Sequence, residues 1–364
     1  MKTPKYLATA FFLALLIPSP TSAQQRTVAI TIDDLPYAGQ FLNLPNYSAD
    51  AINNRLLAAF ARRRIPVTGL VIEKLVEQKP DRATGTRILQ RWINDGLDLG
   101  NHTYSHPDIN TLSVQQIEEE IIRGETTFAP LMKAAGKKPE FFRFPMNYEG
   151  DTKEKHDAIA AFLAQRGYQV ATCTIDNSDF LFNNAYVRML AKNDTAAAQR
   201  LRAEYLKYTS TEIDYYAALN KQVFSYEPPQ VMLLHDSPLN ADTIEGILKM
   251  FEEKGYKFVS LKTAQSDPAY KTPDTYITKF GPMWGYRWAQ ELKVKVNGNL
   301  ETEPPQWILD YGKEASPKTN PTPSTPNISS PQPHPSNSQT QSRIRPDPSF
   351  PPPTYDFPQT ALES

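Results

Sequence analysis

The stretch AITIDDLPYAG, residues 29–39, runs a β-branched apolar segment straight into two adjacent aspartates, Asp33 and Asp34. Its leading part, TVAITI at 27–32, has the composition of a buried strand. Two neighbouring carboxylates repel each other at neutral pH. A cation bound at the strand end would relieve that repulsion.

Working outward, strands and helices alternate. Residues 46–64 put Ile52, Leu56, Leu57 and Phe60 on one helical face, with Ser48 as the cap. PVTGLVI (66–72) is a strand, followed by a helix over 81–95 and the short strand LDLGN (97–101). A single long helix is expected over 113–136, with Ser113 and Gln116 as a capping box and Gly136 at its end. FFRF (141–144) and GYQVATCTI (167–175) are strands around a helix at 152–166. PQVMLLH (229–235), a helix over 241–254 and YKFVSL (256–261) complete the series. Roughly seven repeats predict a parallel sheet with helices outside, as an open doubly wound sheet or a barrel. In a barrel, the site gathers at the C-terminal strand ends.

Three segments break the rhythm. Residues 181–227 carry Leu201, Tyr205, Tyr208, Tyr215, Leu219 and Val223 at helical spacing, with Thr209 and Glu212 as a cap for a second helix. This predicts an inserted helical hairpin on the barrel wall. Residues 263–312 form an aromatic-rich extension holding Trp284, Trp288 and Trp307, expected to pack on the barrel. Residues 313–364 hold 13 of the 32 prolines and read as a disordered tail.

The N-terminus reads as an export signal over 1–23. Lys2 and Lys5 precede the apolar core LATAFFLALLI (7–17), and Thr21-Ser22-Ala23 offers a cleavage point. That core is too short to span a bilayer. The expectation is an exported protein, periplasmic or secreted, with no stable membrane insertion. With 39 basic and 40 acidic residues the formal net charge is −1, which gives no electrostatic footing for nucleic acid. Cys173 is the single cysteine, so no intrachain disulfide forms, and its apolar context reads as core. Nothing in the sequence specifies an oligomeric state.

The chain has five histidines. His334 lies in the tail, and His156 sits in a charged helix, where a solvated surface role is expected. NHTYSHPD (101–108) places His102 and His106 four residues apart, directly after a strand. VMLLHDS (231–237) places His235 at another strand end. Two histidines and one of the two aspartates make three ligands for zinc and leave a position for water. The second aspartate can then take a proton from that water, with His235 as general acid.

TIDDLP, HTYSH, RFP, DNSD and LLHD occur in the order and spacing of the polysaccharide deacetylases, and residues 27–262 resemble that NodB-type family of carbohydrate esterases. The resemblance implies a distorted (β/α)7 barrel, here as the domain 24–262. It also implies metal-dependent removal of acetyl groups from an acetylated carbohydrate. It implies Asp33 as base, Asp34, His102 and His106 as metal ligands, and His235 as acid. Arg143 is similar to the residue that orients the base. Asp179 is similar to the aspartate that tethers this arginine and tunes the acid, with Asp176 the lesser candidate. A backbone N–H near Met146 would help hold the oxyanion. The implied cofactor is a divalent metal, zinc by default, with cobalt also accommodated.

The sequence departs from the family pattern at Leu35, where glycine is usual, at Met146-Asn147-Tyr148 after RFP, and at Phe180 in place of tryptophan. These changes are expected to reshape the acetyl pocket. Two further readings stay open: a catalytically silent carbohydrate-binding protein, and an amidase acting on a small non-sugar amide.

Overall fold

The computed structural model describes residues 25–38, 44, 46–78 and 81–313. The expected export signal at 1–23 and the expected tail from residue 314 lie outside the described residues. Among the described residues, no helix is long and apolar enough to cross a membrane.

The first half of the chain runs β1 (Thr27–Leu35), α1 (Ala49–Arg63), β2 (Val67–Val71), α2 (Glu73–Gln78), α3 (Arg82–Asn94), β3 (Asp98–Asn101), α4 (Val114–Arg123), α5 (Phe128–Ala134) and β4 (Phe141–Phe142). There follow α6 (Lys153–Arg166), β5 (Gln169–Val170), β6 (Ile175–Asp176), α7 (Asp179–Ala191), α8 (Thr195–Phe224) and β7 (Gln230–His235). The last elements are α9 (Pro238–Glu253), β8 (Lys257–Phe258), α10 (Leu261–Ala264), α11 (Trp284–Glu291) and α12 (Gln306–Lys313).

The strands pair in the order β5-β4-β3-β2-β1-β7-β6, all parallel, with β8 also on β1. The two ends of this series, β5 and β6, are pieces of one extended stretch. Ala171 donates its N–H to Phe142 (2.7 Å) on one side, and Thr174 donates to Val231 (3.0 Å) on the other. Residues 169–176 thereby bridge the edges and curl the sheet into a distorted (β/α)7 barrel. The expected unbroken strand over 167–175 is corrected: its middle leaves the ladder and turns its carbonyls to other partners.

Other expectations are also corrected. The helix over 113–136 is two helices, interrupted at Gly124–Thr127. A Cβ on Gly124 would lie 2.5 Å from the Asn101 side-chain oxygen. Buried Glu73 accepts the Thr127 N–H at 3.1 Å, satisfying an amide that the break frees. FFRF and YKFVSL each contribute only two residues to the sheet. The turn of the helical hairpin lies at 192–194, where Asp194 caps α8. Thr209 and Glu212 do not cap a helix. Both are buried in the middle of the continuous 30-residue α8, where they hold neighbouring elements.

Trp284 and Trp288 of α11 pack on Leu219 and Val223 of α8, and Ile308 of α12 joins the main core. This is packing, as expected, and leaves both indoles buried.

One buried side chain fixes the loop behind the twin aspartates. Asn53 of α1 donates to the Pro36 carbonyl (2.8 Å) and to Asp236 (2.9 Å), and accepts from the Trp92 indole (2.7 Å). Asn53→Ala leaves the indole N–H and the Asp236 carboxyl unpaired in the core. A loss of about 3 kcal/mol is expected, read from the urea midpoint. A loss under about 1 kcal/mol would show that other partners or water replace the amide.

Candidate active site

The parallel register sets the site. Asp33 pairs with His235 across β1 and β7, and Asn101 pairs with Phe142, the residue before Arg143. All of these lie at C-terminal strand ends. The loops leaving them are tightly bent: Asp34, Thr103, His106, Met146, Asn147 and Ser178 all have positive φ, between 52° and 70°. Non-glycine residues rarely take this conformation, at a cost of about 1–3 kcal/mol each, unless their surroundings impose it.

Those surroundings are visible around HTYSH. Glu120 of α4 accepts from the Ser105 N–H (2.7 Å) and hydroxyl (3.0 Å), and its carbonyl accepts the Tyr104 N–H. Asn101 bonds the Thr103 N–H at 2.8 Å. The His102 and His106 rings consequently stand edge to face, 4.8 Å between centroids.

His102 Nδ1 lies 2.8 Å from the Arg143 carbonyl, which can only accept, so Nδ1 carries the hydrogen. Its Nε2 is left as a lone pair, 3.6 Å from Asp34 Oδ1, and His106 Nε2 is 4.0 Å from the same oxygen. Burial holds both imidazoles below their usual pKa, His102 well below, so both are neutral at pH 7. Asp34 Oδ1 is buried and accepts no hydrogen bond. An orphaned carboxylate oxygen facing two neutral imidazole nitrogens is the donor set of a divalent-cation site. Asp34, His102 and His106 offer ligand atoms all within 4.8 Å of one another.

Asp33 borders that cluster, its Oδ2 3.8 Å from His102 Nε2. Arg143 Nη1 donates to its Oδ1 (2.7 Å) and to the Thr31 hydroxyl (2.8 Å). The rest of the guanidinium is seated on backbone: Nε on the Ala171 carbonyl (2.9 Å) and Nη2 on that of Thr172 (3.4 Å). These are carbonyls released by the break between β5 and β6. Burial pushes the Asp33 carboxyl up to about 6, with Arg143 opposing the shift.

Across the mouth, Asp179 Oδ1 lies 2.7 Å from His235 Nδ1, and Asp179 Oδ2 accepts the His235 N–H at 2.7 Å. Asn240 also donates to Asp179. Tyr205 of α8 donates to Asn240 (2.7 Å), and Asn177 donates to Tyr205 (2.8 Å). Burial alone would lower the imidazole. Asp179, followed by Asp34 and Asp33, outweighs it and raises His235 to about 10. Between about pH 6 and 10, then, the metal-free site holds an ionised carboxylate and a protonated imidazole together.

The structure brings all seven expected residues to one end of the barrel, with three differences from the sequence reading. Asp179 bonds His235, while Arg143 is seated by backbone carbonyls. Leu35 does not reshape the pocket: it is buried against Gly69, where a Cβ would lie 2.1 Å from its side chain. His156 is not a solvated surface group: its Nε2 lies 3.5 Å from Asp274, and its side chain is 11% exposed. Met146 and Phe180 do line the pocket, together with Leu233 and Met283. Glu120, Asn240 and Met283 had no motif to announce them, while Thr31 opens TIDDLP and Tyr205 was read only as helical packing.

A cluster of two histidines and an aspartate thus stands beside a buried carboxylate and a buried imidazole at the strand ends of the (β/α)7 barrel. A family model described as polysaccharide deacetylase matches residues 21–171. A chitin deacetylase of Arthroderma benhamiae is 28% identical over 154 residues, 42% of this chain. This chain spans only 35% of that relative's length. The peptidoglycan-N-acetylmuramic acid deacetylase PdaA of Bacillus subtilis is 21% identical over 261 residues, 70% of this chain and 84% of the relative. Among solved structures, a carbohydrate esterase family 4 pseudoenzyme from Bacillus anthracis is 15% identical and covers 66% of each chain. Its TM-score of 0.44 carries no argument about activity. Over residues 21–171 the chain is similar to the polysaccharide deacetylases.

Asp179→Asn removes the charge that outweighs burial at His235. In the metal-free protein, the His235 midpoint followed by NMR should fall from far above the usual histidine value to below it. A midpoint left high would show that another charge holds the proton.

Proposed function

We propose that this protein is an exported, metal-dependent deacetylase that removes acetyl groups, N-acetyl foremost, from an oligo- or polysaccharide. One observation carries the reading: base and acid, each with its own buried partner, face a small apolar pocket beside a cation donor set with an orphaned oxygen.

Asp34, His102 and His106 would hold the metal, zinc by default and cobalt as an alternative. When bound, such a cation supplies Lewis-acid polarisation of the acetyl carbonyl and lowers the pKa of the attacking water. Asp33, oriented by Arg143, takes the proton from that water. The N–H of Met146, a pocket-lining residue, would help hold the oxyanion. His235 gives its proton to the departing nitrogen or oxygen at Nε2, while Asp179 stabilises the imidazolium through Nδ1. The pocket, about 40 Å³, is walled by Phe144, Met146, Phe180, Leu233 and Met283. That volume holds about three waters at roughly 10–15 Å³ each, or one small acyl group.

The test is acetate release from chitooligosaccharides, peptidoglycan fragments and acetylated xylan, before and after metal stripping. Asp33→Asn should lower turnover by at least about 100-fold and keep stoichiometric metal. His102→Ala should lose both. Metal-independent release, or wild-type rates in Asp33→Asn, would overturn these roles. A folded, metal-loaded protein silent on every sugar would favour a binding protein or a small-amide hydrolase.

A further inference from the structure

We propose that the segment following the barrel, residues 272–291, is a built-in wall of the active site, with Met283 as the residue that sets the size of the acyl group accepted. The inference rests on the deacylase reading of the pocket and adds its acyl specificity.

Met283 is 5% exposed and lines the same pocket as Asp33, His102 and His235. Every other pocket residue comes from the barrel or its strand-end loops. The segment carrying Met283 is fixed at several points. The Trp284 N–H donates to the Cys173 carbonyl at 2.9 Å, inside the gap between β5 and β6. Asn110 donates to the Lys279 carbonyl at 2.9 Å.

Arg287, 2% exposed, donates to Asp274 at 2.7 Å and to the Tyr276 carbonyl at 3.2 Å. Its Nε lies 3.6 Å from buried Glu149, just beyond the RFP loop. His156 Nε2 approaches Asp274 from α6. This buried charge cluster ties the segment to the barrel from beneath.

The closest approach is at Gly281, where a Cβ would stand 1.9 Å from the Met146 carbonyl oxygen and 3.0 Å from Asn147 Cβ. The absence of a side chain lets the segment press on the two left-handed residues of the RFP loop. It buttresses the positive-φ turn at Met146 and Asn147.

The consequence is steric. With the backbone pinned on both sides of Met283, its side chain has no room to withdraw. The space left suits a two-carbon acyl group, and each added methylene must displace the thioether. A pocket wall discriminates by about 10- to 200-fold per methylene. Met283→Ala removes three heavy atoms from that wall, Met283→Leu keeps the bulk, and Met283→Phe adds to it.

The test is titration calorimetry of acetate, propionate and butyrate with the zinc-loaded full chain, which needs no turnover. Wild type and Met283→Leu should prefer acetate over butyrate by at least about tenfold. Met283→Ala should bring the two within about threefold by tightening butyrate, and Met283→Phe should weaken acetate. The Phe variant tests the wall even if the Ala variant fails to fold.

Wild type that does not discriminate, or a folded Ala variant that keeps the wild-type preference, overturns the inference. Acetate release from sugars is judged separately. Carboxylate discrimination without release from any sugar sinks the proposed function and keeps the wall. Release with unchanged preference in Met283→Ala does the reverse.

Discussion

The site is organised around a guanidinium that does not meet water. Arg143 is 1% exposed and Asp33 2% exposed, so each charge depends on the other. Removing one partner of such a pair typically costs about 3–5 kcal/mol, because a naked charge is left buried. The pair survives because the remaining guanidinium donors are satisfied by the Ala171 and Thr172 carbonyls. Those carbonyls are available only because the strand that closes the barrel is broken at that point. The irregularity in the sheet is thus the seat of the arginine, and the arginine fixes the carboxylate.

The same break serves a second purpose. Its Cys173 carbonyl receives the Trp284 N–H, so the chain beyond the barrel returns to the mouth through the gap. Backbone hydrogen bonds that a regular ladder would have consumed are redistributed to a side chain and to a distant segment. The carbonyls of Ala171, Thr172 and Cys173 remain paired, as burial requires.

The strand-end chemistry was legible because residue type and position coincide there. Asp33, Asp34 and His235 end apolar runs and His102 and His106 follow a strand, and parallel strands bring such positions to one face. The break in YQVATCTI was not legible, since most of its residues favour a strand and the partners that reward the interruption, Arg143, Gln265 and Trp284, lie elsewhere in the sequence. The split of the helix expected over 113–136 depends likewise on Gly124 meeting Asn101 from another strand. Thr209 resembles a cap by type and spacing, yet it lies inside α8 and accepts a hydrogen bond from Asn177. His156 looks solvated in its own helix because Asp274 and Arg287 arrive more than a hundred residues later. In each case local propensity was overruled by a partner that only the tertiary fold supplies.

Helix α8 passes for scaffolding, but its buried Tyr205 hydroxyl is linked through Asn240 and Asp179 to His235. A hairpin grafted onto the barrel is therefore not a neutral module. Swapping it for another of equal length and apolar character would preserve the hydrophobic seal and strand the Asn240 amide without its acceptor-side partner. A change at Tyr205 would thus reach His235 through Asn240 and Asp179 while every motif residue stays unchanged.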